Sequence, residues 1–282
     1  MTIGQQKQPY SLGLEMSSND IPFVERGIDN ALVAPFVGRA IGVRIDTYGT
    51  RWFAAAGVYG EPIDGDRDGW GSAARFVVAP FATQDRALHL GLRAAYREPA
   101  TNATVRIDAE TTSFSDLSIV DTTPIGNVDN VTLYGPETAF AAGPFSISGE
   151  YHRARVDHAL GALSFDAWHV AATWSPTGES RAAAYELSEG EFKRLEPTEH
   201  FSPGDAFGAW ELAARYAAID LNDDFVVGGK EKTISLAATW YLNRTLRVML
   251  DWTRVLETDG STSDRAAAEG LDVLTLRAQF AL

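Results

Sequence analysis

Not one cysteine occurs in the 282 residues, which excludes disulfides and thiolate metal sites. Long apolar runs are missing as well. No window approaches the roughly 18 consecutive apolar residues of a transmembrane helix, and the longest patches, 53–59 and 206–210, are short and interrupted. Basic clusters are absent: the net charge is −14 and no Lys/Arg run or stripe is visible, which argues against nucleic acid as a partner. Met1 to Lys7 carry no apolar h-region, so they are not a signal peptide. Either the chain is cytoplasmic or its natural N-terminus lies upstream. Catalytic motifs are also wanting. His89, His152, His158, His169 and His200 form no H-x-x-x-H or H-E-x-x-H arrangement, and there is no G-x-S-x-G, Walker A or clear G-x-G-x-x-G. Ser146, Ser148 and His152 share one segment, but hydroxyls on a strand face are ordinary. No catalytic residue, metal or cofactor is expected, and the chain does not read as an enzyme.

What is present is period-2 alternation, repeated many times. Ile234, Leu236, Ala238, Trp240 and Leu242 alternate with Thr233, Ser235, Ala237, Thr239 and Tyr241. After the turn at Asn243-Arg244, Leu246, Val248, Leu250 and Trp252 alternate with Arg247, Met249, Asp251 and Thr253. Arms of about ten residues are what a tilted strand needs to cross a bilayer. About thirteen such segments are predicted, beginning near Thr2, Arg39, Arg51, Gly69, Ala87, Asn127, Phe145, Phe165, Arg181, Gly208, Lys232, Leu246 and Leu271. In 127–141 the alternation does not say which parity faces out. No linker divides the chain, so residues 1–282 read as one domain.

A membrane barrel shows lipid only every second residue, so an apolar fraction of 45% suits it as well as a soluble protein. Two features favour the barrel over a soluble β-sandwich. Short turns, near Gly49, Thr83, Gly143, Gly178 and Asn243, alternate with long polar connections at 60–67, 97–105, 159–163, 190–205, 220–230 and 257–269. That is the asymmetry of periplasmic turn and extracellular loop. Aromatics such as Tyr96, Trp168, Trp174, Tyr216, Trp240 and Trp252 fall at segment ends on the apolar face, where girdles would place them. The opposite face is small and Arg-bearing with almost no Lys, unlike the Lys- and Glu-rich exterior of a soluble sheet.

That opposite parity carries Arg44, Arg75, Arg93, Arg97, Arg215, Arg247 and Arg277, with His89 and His169, against Asp46, Glu211 and Asp251. A ring of guanidinium groups favours anions. The alternative is that arginines and acids neutralise each other and brace the wall, as Glu211 with Arg215 and Arg247 with Asp251 could do. Most surplus acid sits in the connections, for example Glu61, Asp64, Asp66 and Asp68. One stretch breaks the pattern: Ser17-Ser18-Asn19-Asp20-Ile21-Pro22-Phe23-Val24-Glu25-Arg26 reads as a helix start, with cap residues, an early Pro and acid in the first turns.

Several motifs in order resemble the phosphate- and polyphosphate-selective porin family (porins O and P) of Gram-negative outer membranes. They are Gly4-Gln5-Gln6-Lys7-Gln8-Pro9-Tyr10-Ser11-Leu12, the 17–26 segment, Gly38-Arg39-Ala40-Ile41-Gly42, Gly143-Pro144-Phe145-Ser146-Ile147-Ser148-Gly149-Glu150-Tyr151, Gly208-Ala209-Trp210-Glu211-Leu212-Ala213-Ala214-Arg215-Tyr216, Trp240-Tyr241-Leu242-Asn243 and Leu276-Arg277-Ala278-Gln279-Phe280. The resemblance implies an all-β, antiparallel transmembrane barrel of sixteen strands with an inward constriction loop, assembled as a homotrimer in the outer membrane and surrounded by its lipid. It implies three further strands and a signal peptide before the first segment here. Residues 18–32 would form the constriction, with Ser18, Asn19, Phe23 and Glu25 in it and Arg26 near its narrowest point. The middle of the chain departs from the phosphate-specific members: 104–112 keeps one arginine, Arg106, where they carry a ladder. The last residue, Leu282, stands where outer-membrane barrels usually have an aromatic. The expectation is passive diffusion of small anions, phosphate or polyphosphate-like, with modest preference and no tight phosphate binding. The competing reading is a structural or adhesive barrel with a plugged lumen and partner-binding loops.

Overall fold

A computed structural model describes residues 1–60, 69–100, 103–110, 118–259 and 268–281. The acids Glu61, Asp64, Asp66 and Asp68, and Leu282, lie outside the described residues. Twelve strands make one sheet: β1 (Thr2–Lys7), β2 (Arg39–Tyr48), β3 (Trp52–Tyr59), β4 (Trp70–Val78), β5 (Arg86–Glu98), β8 (Val128–Ala142), β9 (Phe145–His158), β10 (Gly161–Trp174), β13 (Ala209–Asp223), β14 (Val226–Tyr241), β15 (Leu246–Asp259) and β16 (Asp272–Phe280). The remaining four are short ribbons within connections: β6 (Asp108–Glu110) with β7 (Ser118–Asp121), and β11 (Tyr185–Glu186) with β12 (Glu191–Phe192). Every pairing is antiparallel and follows chain order. Ten segments begin within one residue of where the alternation predicts, while β10 begins four residues before Phe165 and β14 six before Lys232.

The thirteenth does not cross. Arg181–Ala184 is a 3-10 turn leading into the β11–β12 ribbon, while Trp174 at the end of β10 pairs directly with Leu212 of β13. A run of Ala and Tyr mimics alternation locally, but antiparallel order already satisfies the wall without it. Two connections read as long are tight turns, Ala159-Leu160 and Asp224-Phe225. Asp224 takes φ 49°, the left-handed conformation that aspartate tolerates, in place of a recognisable Asn-Gly or Asp-Gly.

The sheet curls. Glu15 binds Arg44 on β2, and Asn19, four residues later, accepts from Gln279 on β16. Those strands are second and twelfth in the sheet order, ten steps apart, or about 48 Å if flat. Four residues reach about 14 Å at most. The wall therefore wraps around the 8–38 connection. Among the described residues, β1 and β16 each pair with one strand.

The outer face carries the exposed apolar side chains, including Ile45, Phe76, Leu92, Phe140, Leu250 and Leu276. The inner face is buried and divides by height. Where the connections 8–38 and 103–127 enter, Leu32, Val33, Phe36, Ile107, Ile119 and Leu133 make a dry core. Below it the inner face carries buried charge, and nearer the tight turns smaller apolar clusters return, such as Ala87, Ala139 and Ala141 with Leu12, Met16 and Phe192. The parity left open in 127–141 resolves here: Val131, Leu133, Glu137, Ala139 and Ala141 are buried, Tyr134 and Phe140 exposed. Apolar residues on both parities hid this, because the inner one faces the dry core at one end, charge at Glu137 and a small apolar cluster at Ala139 and Ala141.

Residues 17–26 do not form the expected helix. The α-helical turns fall to either side, α1 (Leu12–Glu15) and α2 (Ala34–Val37), with a 3-10 turn at Ile28–Leu32. The reason is that 18–25 bonds to the wall instead of to itself. The Val24 N–H donates to Asp251, and the carbonyls of Ser18, Ile21 and Glu25 accept from Arg247 and Arg215.

Candidate functional site

The inner wall and the inward 8–38 connection together form the candidate site, and it has two sides. On β4, β5, β8, β9 and β10, strand alternation turns Arg75, His89, Arg93, Glu137, Glu150, His152 and His169 inward together. Glu137 is the hub: Oε1 accepts from Arg75 Nε at 2.7 Å and lies 3.0 Å from His89 Nε2, and Oε2 accepts from Arg93 at 3.1 Å and from the Leu12 N–H at 2.9 Å. Glu150 lies 3.2 Å from Arg93 and accepts the Gly13 N–H at 2.6 Å. The same side is tied to the 175–208 connection, since Arg75 donates to the Gly190 carbonyl at 2.7 Å and Tyr185 Oη is 2.9 Å from His89. From the inward connection, Asp29 docks between His169 Nδ1 at 2.7 Å and His152 Nε2 at 3.3 Å. Burial alone would raise the Asp29 carboxyl. Its histidine partners, His169 foremost, hold it well below the usual carboxylate range.

On β13 to β16 the arginines meet backbone instead. Arg215 donates to the Glu25 carbonyl at 3.0 Å and lies over the Phe23 ring at 4.2 Å. Arg247 donates to the carbonyls of Ile21 at 3.0 Å and Ser18 at 3.1 Å and to the Gln279 amide. Arg277 donates to the Val24 carbonyl at 3.3 Å. Arg26, on the connection itself, donates to the carbonyls of Gly13 at 2.6 Å and Met16 at 2.7 Å. Among the described residues none of these four has a carboxylate within 4.0 Å.

The other sequence candidates lie apart. Arg44 pairs with Glu15 and Asp46, Arg97 donates to the Gly60 carbonyl, and Arg106 pairs with Asp121 in the connection between β5 and β8. Two expected wall braces do not form. Glu211 instead holds Arg181 at 3.2 Å and the Tyr241 hydroxyl at 2.7 Å, and Asp251 holds the Val24 N–H. Residues i and i+4 of a strand are about 13 Å apart, too far for an ion pair. Sequence reading missed Asp29, Glu137, Glu150 and Arg181. Glu137 lies on the strand whose face the alternation leaves open, Glu150 shares the parity of Ser146, Ser148 and His152 without being singled out, and Asp29 and Arg181 lie in connections.

Between the 8–38 and 175–208 connections lies a cavity of about 90 Å³, lined at its apolar end by Met16, Ile21 and Phe192 and at its polar end by Arg26, His169 and Arg215 with Glu25 and Glu150. Beside it a wider space of about 680 Å³ is bordered by Glu25, Arg26, Asp108, Glu110 and Arg277. No group of three or more His, Asp or Glu among the described residues has metal-binding geometry.

A curled antiparallel sheet with an apolar exterior, a charged interior and connections folded inward defines an outer-membrane β-barrel class of protein. The sequence profile of the phosphate-selective porin O and P family matches residues 1–282, and the chain belongs to that family. Its members are channels of the Gram-negative outer membrane, not enzymes, and the chain is an outer-membrane protein accordingly. It is 27% identical to porin O of Pseudomonas aeruginosa over 81% of its length and 57% of that protein's, and 27% identical to an uncharacterized protein of Caulobacter vibrioides over 79% and 47%. The chain thus spans about half the length of these curated relatives. Its fold resembles the in-vitro folded outer-membrane protein OmpT of Vibrio cholerae, at a TM-score of 0.54 and 15% identity, covering 99% of this chain and 74% of that one. A trimer form of OmpT gives a TM-score of 0.52 at 14% identity, covering 99% and 75%.

Proposed function

We propose that the protein is a homotrimeric diffusion porin that passes small anions, phosphate or polyphosphate-like, modestly better than cations and without tight phosphate binding. The observation that carries this reading is that Arg215 and Arg277 of β13 and β16, and Arg26 of the inward connection, border the open spaces with no carboxylate in ion-pair range among the described residues. A guanidinium held by carbonyl oxygens keeps its full charge, and that charge favours anions in a narrow path. Residues 18–32 serve as the constriction, with Ser18, Asn19, Phe23 and Glu25 in it and Arg26 at the narrowest point. Arg75 and Arg93, by contrast, contribute little net field beside Glu137 and Glu150. Reversal potentials of the protein in planar bilayers across a KCl gradient test the reading; a preference for K⁺ would overturn it.

A second reading draws on the dry core that fills the wall where the long connections enter. It favours a plugged barrel whose loops bind a partner. Single-channel conductance separates the two: ohmic openings support the porin, and an electrically silent, correctly folded protein supports the plug.

A further inference from the structure

The cavity of about 90 Å³ between the 8–38 and 175–208 connections has two unlike ends. Its apolar end is assembled from distant pieces. Leu12, Met16 and Ile21 come from the first connection, Ala139 from β8 and Phe192 from the second, and all five belong to one buried cluster. The polar end is charged, and most of its charges are already matched. Arg181 is paired with Glu211, Glu150 with Arg93, and His169 with Asp29. Among the charged side chains of the lining this leaves Arg26 and Arg215 against Glu25, two guanidinium groups and one carboxylate, a surplus of one positive charge. Neither arginine has spent all its donors. Arg26 gives Nε to the Gly13 carbonyl and Nη2 to that of Met16, so its Nη1 has no acceptor among the described residues. Arg215 gives Nη1 to the Glu25 carbonyl, and its Nε has no acceptor among them either.

We propose that this cavity is a binding site for short-chain monocarboxylates, with propionate the best fit. The inference rests on the anion-passing lumen proposed above and adds a class of solute to it. A carboxylate brings one negative charge to a surplus of one positive charge, and its oxygen accepts a charge-assisted hydrogen bond from Arg26. Its alkyl tail lies against Met16, Ile21 and Phe192, where each buried methylene tightens binding about three- to four-fold. Phosphate suits the place less well. It carries polar oxygens on every side, and those turned to the apolar end leave water for a surface that offers no hydrogen bond. Chloride gains nothing from that end. Size sets the upper limit: a cavity of about 150 Å³ takes benzene, so one of about 90 Å³ takes an anion of roughly four or five heavy atoms, acetate or propionate.

The test is block of chloride current through the full chain in planar bilayers, at constant ionic strength and neutral pH, by formate, acetate, propionate and phosphate. The half-blocking concentration is expected to fall about three- to four-fold from formate to acetate and again from acetate to propionate, with phosphate no tighter than acetate. Met16→Gln keeps the side-chain length but puts an amide into the apolar wall, and it should flatten the series to less than about two-fold per step. If that variant does not fold, the series on the unmodified protein decides. If the protein carries no current, equilibrium dialysis of the radiolabelled acids against the protein in micelles reads the same order. A flat or reversed series, phosphate binding more tightly than propionate, or an unaltered series in Met16→Gln each overturns the site. Reversal potentials taken alongside keep the two readings apart. Cation preference with the chain-length order intact sinks the porin reading and supports the site; anion preference with a flat series does the reverse.

Discussion

The two sides of the inner wall use the same residue type for different ends. On β4 to β10, Arg75 and Arg93 are buried against Glu137 and Glu150, and the carboxylates also anchor the peptide N–H groups of Leu12 and Gly13. On β13 to β16, Arg215, Arg247 and Arg277 point at carbonyl oxygens of 18–25. One side is a closed ionic cluster whose charges cancel; the other is a row of cations held by dipoles. An arginine on a strand therefore reveals its direction but not its electrostatic consequence, which depends on whether the next strands supply acid or a loop supplies backbone.

The sharpest break between the sides is expected from Glu137→Ala. It strands Arg75, Arg93 and His89 in a buried site, and breaking a buried pair costs about 3–5 kcal/mol. The urea midpoint of heat-modifiable folding should fall accordingly. An unchanged midpoint would mean that water reaches the cluster.

A pH effect is expected next, in the 175–208 connection that Arg75 grips. Burial pushes Glu191 up to about 7 although Lys193 lies beside it, and nearby Glu15 and Glu189 push the same way. A raised folded-state value means that this part of the docking energy is present at low pH, from below the ordinary glutamate value, and is lost as pH rises through about 7. Intrinsic-rate-corrected hydrogen exchange of the β11–β12 ribbon should be faster at pH 8 than at pH 5. Glu191→Gln should remove the difference; if it persists, another group is responsible.

Smaller still is Phe23→Leu, which removes the ring beneath Arg215 and should destabilise by about 1 kcal/mol. Its urea midpoint compared with that of Glu137→Ala measures how unequal the sides are. A loss as large as that of Glu137→Ala would remove the distinction.

The smallest energy concerns selectivity. One unit charge about 10 Å from an ion path in water is worth roughly 0.4 kcal/mol, or about a two-fold change in permeability ratio. Arg215→Ala should shift the reversal potential toward cations by that much. The double variant R75Q/E137Q should leave it where it was, because the pair carries no net charge. Equal shifts would show that both sides line the conducting path as free charges.

Much of this wall is legible without coordinates. The side-chain period of two is a local property, so Leu246 to Thr253 and Ile234 to Tyr241 declare a hairpin, and the inward set Arg75, Arg93, Arg215, Arg247 and Arg277 follows from parity alone. Family motifs such as Gly143 to Tyr151 add the class of protein. What could not be read is every statement about a partner across the molecule. Glu137 shows no face because the inner positions of its strand are apolar on either side of it, Val131 and Leu133 before and Ala139 and Ala141 after. Residues 181–187 alternate like a wall strand, yet only the direct pairing of β10 with β13 reveals that they stay inside. Arg247 and Asp251 look like a pair in sequence and are separated by strand geometry, each meeting residues 18–24 from more than two hundred positions away. Local periodicity settled which way each side chain points. The tertiary fold alone decided which charges cancel, because that depends on which distant strand or loop arrives opposite.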